Sequence, residues 1–374
     1  MRQPRVSRLL PAVVLLVGVL VAVQLLSRER KHPESKPDLL WGTELLHQIR
    51  PRENSLSPSS SRLVSAYLDR RYEGLAGLAQ SPPLPLEEIL IGNSFALSRR
   101  WAQAVPHYQK VPPGPYRADA RSDLALALLA SNQLKDAIGA ALEALSADQK
   151  GDPSNQAVDL ATLGTIAFRL GDLVKAKGAH QSALRLAVQA QNTWQEAMER
   201  LSLGSLANLE QQPHLALEEE KSALHLFHEA GDPLGEVQTL AALGLVYKGA
   251  GQADQALESF QEAQRISREI GDRESEGTAW IDVALLEQER GRYASALAAG
   301  GKAVELAARG DSPLQRAAAL GSLAMVQKNA GHLTEALQSL EEARSLFQSA
   351  GSSEEVHGVE IQIKAIRDQI SPSP

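Results

Sequence analysis

A pair of helix-boundary residues recurs every 40 residues between Gly151 and Ala350, and this period constrains the fold more than any other feature of the chain. Gly151-Asp152, Gln191-Asn192, Gly231-Asp232, Gly271-Asp272 and, one residue early, Gly310-Asp311 form one column. Gly171, Gln211, Gly251, Gly291 and Gly331 form a second, halfway through each unit. Glycine accepts the left-handed conformation that ends a helix, and Asp or Asn accepts hydrogen bonds from the free amides of the next one. Pro153, Pro233 and Pro313 follow the cap, at the first helical position, where a missing N–H costs nothing. Each unit therefore reads as two helices of about sixteen residues, and five such units predict an all-α stack of helical hairpins, a solenoid.

Three further columns carry the packing. Gly164, Gly204, Gly244, Ala284 and Ala324 share one register, Ala176, Ala216, Ala256, Ala296 and Ala336 another, and Ala183, Ala223, Ala263, Ala303 and Ala343 a third. Glycine inside a helix costs about 1 kcal/mol against alanine. Three in one register predict that the two helices of a hairpin touch there. Large side chains such as Leu243, Tyr247 and Phe260 fill the space between.

In the third unit the pattern Leu243-Gly244, Tyr247, Gly251, Ala256, Phe260 and Ala263 resembles the tetratricopeptide repeat. Other units keep the small columns but place His180, Glu220, Gly300 or Leu340 where Phe260 stands. The family's usual unit is about 34 residues; the longer unit here resembles the lengthened variety of kinesin light chains and many bacterial regulatory proteins. The resemblance implies a right-handed helical-hairpin solenoid whose first helices line a concave face. By register that face holds three rows. Ala161, Leu201, Ala241, Ile281 and Gly321 form the first, which reads equally well as packing between hairpins. Thr165, Ser205, Leu245, Leu285 and Met325 form the second, and Phe168, Asn208, Lys248, Gln288 and Lys328 the third. The expected partner-binding residues are Phe168, Asn208, Leu245, Lys248, Leu285, Gln288, Met325 and Lys328, an apolar strip with a weakly basic edge suited to an extended segment or amphipathic helix. The Lys and Asn clamp with which chaperone-binding relatives hold a C-terminal carboxylate is not reproduced in these rows.

Upstream the spacing loosens. Residues 61–150 read as degenerate hairpins, with Ala104 and Tyr108 in one and Ala137 and Ala144 in another; residues 351–374 read as a polar capping helix and tail. After a short basic tail, 1–8, residues 9–26 form an uncharged 18-residue apolar run. As a helix it spans about 27 Å at ~1.5 Å per residue, close to the ~30 Å hydrocarbon core. It is expected to be a single N-terminal transmembrane anchor. The alternative is a cleaved secretory signal, but such signals have an apolar region of about 7 to 15 residues and a small-x-small cleavage site, and Leu20-Val21-Ala22 is a poor one. Arg2, Arg5 and Arg8 before the run oppose Arg28, Arg30, Lys31 and Lys36 after it, which leaves orientation balanced. A short basic tail ahead of the anchor favours an exported repeat domain. Residues 27–60 read as a juxtamembrane linker.

Composition narrows the chemistry. With 45 acidic and 38 basic residues, a net charge of -7 and no basic stripe, nucleic acid is not an expected partner. There is no cysteine, so thiol catalysis, disulfides and lipoprotein anchoring are excluded. His225, His228 and Glu229 have a spacing that places ligands on one helix face, but no third ligand accompanies the pair. Gly300-Gly301-Lys302 is like the end of a phosphate-binding loop, yet lacks the upstream glycine and the Ser or Thr, and falls inside a helix. No catalytic motif, metal site, cofactor or small-molecule substrate is expected. The function this predicts is a membrane-anchored, non-catalytic scaffold that binds a protein or peptide in its groove. The alternative is a regulatory or accessory subunit of a membrane enzyme or export complex, with specific contacts inside the membrane.

Overall fold

The computed structural model describes residues 57–60, 62, 75–79, 81–97, 100–114, 116–147, 153–310 and 312–370. The expected anchor at 9–26 and all but the last four residues of the expected linker at 27–60 lie outside the described residues. Among those described, there are helices and no strands, and no helix is long and apolar enough to cross a membrane.

The chain divides into two compact units, residues 1–210 and 211–374. In the first lie α1 (Pro85–Leu97), α2 (Trp101–Lys110), α3 (Arg117–Ala130), α4 (Leu134–Ala147), α5 (Pro153–Arg169), α6 (Leu173–Gln189) and α7 (Thr193–Leu209). In the second lie α8 (Pro213–Ala230), α9 (Pro233–Gly249), α10 (Ala253–Glu269), α11 (Arg273–Glu289), α12 (Tyr293–Ala308), α13 (Pro313–Asn329), α14 (Leu333–Ser349) and α15 (Ser353–Ile370). Each unit is a stack of antiparallel hairpins, and its main contacts join helices that are neighbours or next-neighbours in the chain.

The boundary columns act as their chemistry requires. Gly231 is left-handed at φ 63°, and Asp232 then accepts from the amides of Leu234 and Gly235 at 3.1 and 3.2 Å. Gln191 and Gln211 stand where other units have glycine, and the backbone takes the same left-handed turn, at φ 54° and 59°. An L-residue pays about 1–2 kcal/mol for that geometry, so the repeat imposes the turn on them. One boundary differs from the sequence reading. The cap of α13 is Ser312, its hydroxyl accepting from the amide of Gln315 at 3.3 Å. Pro313 takes the first helical position, so the residue directly before it must cap, and the early Gly310-Asp311 pair is one place too far away.

The small columns are where the helices of a hairpin meet. Ala176, Ala216, Ala256, Ala296 and Ala336 are all fully buried, as are Ala183, Ala223, Ala263 and Ala343. A Cβ added at Gly244 would lie 2.3 Å from Cε1 of the fully buried Phe260 ring, 16 residues later in the partner helix. The same opposition recurs at Gly92 with Tyr108, at 2.6 Å, and at Gly164 with His180, at 2.7 Å. Gly300 has the reverse role: the wide position is vacated, and Leu323 of α13 fills it, 3.0 Å from where a Cβ would stand. This close contact accounts for the glycine inside α12, whereas Gly301 is exposed and faces no neighbour.

Gly244→Ala is expected to destabilise the second unit by about 1–3 kcal/mol through overpacking, despite the gain in helix propensity. Combining it with Phe260→Leu should recover part of that loss. Chemical denaturation of the four members of this cycle checks the coupling; additive losses would mean that the glycine and ring do not share one socket.

Candidate binding face

In the second unit α9 approaches α11, and α11 approaches α13, across the stack, while the second helices of these hairpins make no comparable approach among the described residues. A stack whose first helices sit closer together than its second helices curves toward the first. The inner face of this unit is therefore made by α9, α11 and α13. Leu245, Leu285 and Met325 occupy matching positions on these three helices, with Lys248, Gln288 and Lys328 one turn further on. Leu245 and Leu285 are half-buried, and Met325 is 42% exposed. Leu245 packs at its base on the core around Phe260, Val283 and Leu286, and the strip leaves its Met325 end to solvent.

The third row is not uniformly basic. Lys248 Nζ lies 3.3 Å from Glu289 Oε1 of α11, so its charge is already opposed across the two helices. Gln288 has a buried Oε1 without a hydrogen-bond partner, and Lys328 is half-buried and carries no ion pair among the described residues. Between these rows lies Asp282, in the column Thr162, Ser202, Ala242, Asp282 and Ser322, one residue after the first row. Sequence reasoning passed it over, although it is the single carboxylate in an otherwise small, uncharged column. Burial pushes its carboxyl up to about 7, against the opposing pull of Lys248.

Phe168 and Asn208 belong to the first unit. Phe168 is 6% exposed and packs against Ala176, Leu203 and Leu206, so it is a core residue with little surface to offer. Asn208 is half-buried near the end of α7. His225 and His228 point to different partners, with Nε2 of the first 3.4 Å from Glu229 and Nδ1 of the second 3.2 Å from Glu236. No cluster of potential metal ligands occurs among the described residues.

Two polar groups replace the ring that packs on glycine. His180 sits over Gly164 with Nδ1 2.7 Å from Oε2 of Glu199 in α7, and Gln195 donates to the other oxygen of the same carboxylate; all three are buried. In the second unit Glu220 is 1% exposed with Oε2 unpartnered, and burial raises its carboxyl from 4.5 to about 8.

Residues 234–309 match the model of the tetratricopeptide repeat. That span contains both Gly244 and Phe260 and the boundary glycines Gly251, Gly271 and Gly291. Over that span the chain carries tetratricopeptide repeats. Solved structures agree on the fold. A tetratricopeptide repeat protein of Parabacteroides merdae is 16% identical over 76% of this chain and 98% of its own, at a TM-score of 0.54. A Rap protein, solved in complex with competence and sporulation factor, is 12% identical over 87% of this chain and 99% of its own, at 0.58. A signal transduction ATPase with numerous domains, from Pyrococcus horikoshii and bearing a tetratricopeptide repeat sensor, is 12% identical over 90% and 55%, at 0.57. No curated protein sequence matches the chain. Tetratricopeptide repeats are in general non-catalytic surfaces for protein interaction, and no enzymatic family is indicated.

Glu220 makes the repeat stack sensitive to pH in a stated direction. The folded chain holds this proton to about pH 8, whereas an unfolded carboxyl releases it near 4.5, so stability falls as pH rises between those values. Glu220→Gln is expected to raise the stability of the second unit by roughly 3 kcal/mol above pH 8 and to change little near pH 4.5. Thermal melts across that range test it; a gap between variant and parent that does not widen with pH would show that the carboxyl is not held neutral.

Proposed function

We propose that this chain is a membrane-anchored, non-catalytic scaffold that recruits a protein partner by holding an extended segment or amphipathic helix of it on the inner face of the second unit. The observation that carries this reading is the matched row Leu245, Leu285 and Met325. These are three apolar side chains on three converging helices, with the partly solvent-facing Met325 at one end. Exposed apolar side chains in register along a concave surface gain most from a partner that supplies its own apolar side chains at intervals. Methionine suits such a surface because its flexible thioether adapts to different contacts. The tetratricopeptide resemblance supports the class of partner, and the recurrence of helix starts at Pro153, Thr193, Pro233, Arg273 and Pro313 supports the lengthened, forty-residue form of the repeat.

Membrane attachment through residues 9–26, and an exported repeat domain, belong to the same proposal and rest on the apolar run and its basic flank. The polar stretch that follows would act as the tether between bilayer and repeats.

Leu245→Glu, Leu285→Glu and Met325→Glu, introduced together in full-length tagged protein, are expected to abolish recovery of a stoichiometric partner from native membranes while leaving the helical circular dichroism unchanged. Replacing residues 9–26 by an unrelated anchor should leave that partner in place. Loss on anchor exchange, with retention in the triple variant, would overturn the groove reading in favour of a subunit that makes its contacts within the membrane.

A further inference from the structure

The inner face of the second unit carries a carboxyl group that the fold itself does not use. Asp282 makes no hydrogen bond and no ion pair among the described residues. It lies on α11 one turn before Leu285 and two turns before Glu289, on the face that α9 and α13 border. The charged group whose field reaches it is Lys248 of α9, and that ammonium is drawn instead to Glu289, 3.3 Å from its Oε1. Helices α10, α12 and α13 supply no charge whose field shifts it. The residue is half-buried, so its carboxylate is open to an incoming group, and its charge is only partly opposed by Lys248.

We propose that Asp282 is the point on this face that recognises a cation, taking the guanidinium or ammonium group of a peptide partner whose neighbouring apolar side chains lie on Leu245, Leu285 and Met325. The inference rests on the groove reading above and adds to it the chemistry of the partner. A single carboxylate is too few ligands for a bound divalent metal, which requires about six or more oxygens for calcium. It suffices for a guanidinium, whose paired N–H groups match the two carboxylate oxygens. The apolar strip beside it accepts the aliphatic part of the same segment. Because burial already disfavours the charged form, an arriving cation stabilises the carboxylate it needs, and its binding is coupled to release of a proton. Affinity for a cationic segment therefore rises with pH through about 7 and levels off above it.

The test uses the full-length chain in detergent micelles and fluorescein-labelled nonapeptides. In these, two leucines three places apart lie in a serine background, and one further residue is Arg, Gln or Glu in each remaining position. In one register the Arg probe should bind about tenfold tighter than its Gln counterpart, with Glu weaker still, and the advantage should grow between about pH 6 and pH 8. Asp282→Asn, nearly isosteric and uncharged, should bring the Arg and Gln probes to within about twofold of each other, remove the pH dependence, and leave the Gln probe bound as before. An Arg preference that persists in Asp282→Asn would overturn the assignment. If Leu285→Glu abolishes binding while Arg and Gln probes bind the parent alike, the groove stands and the cation site falls. If no probe binds the parent at any register, both fall together.

Discussion

Everything in the stack depends on one contact: the place where the first helix of a hairpin presents almost no side chain and the second presents a large one. At Gly92, Gly164 and Gly244 the missing Cβ is replaced by the face of Tyr108, His180 or Phe260. The ring can lie that close only because nothing projects from the opposing backbone. Dispersion forces fade quickly with distance, so this approach sets how well the flanking alanine columns also fit. At Gly300 a side chain of the following hairpin, Leu323, closes over the narrow position instead.

This logic was legible in the sequence because it is periodic. The boundary glycines, the capping Asp and Asn residues and the small columns each recur in register, and among the described residues Gly171, Gly231, Gly251, Gly271, Gly291 and Gly331 take the left-handed turn, as do Gln191 and Gln211. The shift of the last cap to Ser312 was readable in principle from Pro313, which fixes its own neighbour as the cap. Breaks in a period are harder to interpret. Phe168 shares a register with Asn208 and Lys248, yet it packs in the core, because a column specifies direction from the helix axis and not how much neighbouring helices cover it. Asp282 has no periodic signal of its own: it is a single acid in a column of small uncharged residues, between the rows whose register points to the groove. Lys248 looked like a free cation until Glu289, 41 residues later, was placed beside it.

The polar replacements of the central ring show two different solutions to the same problem. His180 brings a ring of suitable thickness and then needs Glu199 and Gln195 to satisfy it, so one substitution in α6 is compensated by two residues in α7. Buried networks of this kind are stable when every member is satisfied and weak when one is removed. Glu220 brings a flexible carboxyl with one oxygen unpartnered, and avoids most of the penalty by staying protonated.

Main contacts that, among the described residues, join a helix to the next or next-but-one also govern how the chain comes into being. A fold of low contact order does not wait for its C-terminal end: each hairpin has its packing partners as soon as the following helices emerge. Growth is then vectorial, with the most recently formed hairpin always exposing an unpaired face. The helix that ends the series, α15, closes that face by burying Val359, Ile363 and Ile366 against α14, while most of the residues on its other side are left in water. It leaves the last hairpin of the stack with a covered face and presents a polar one in its place.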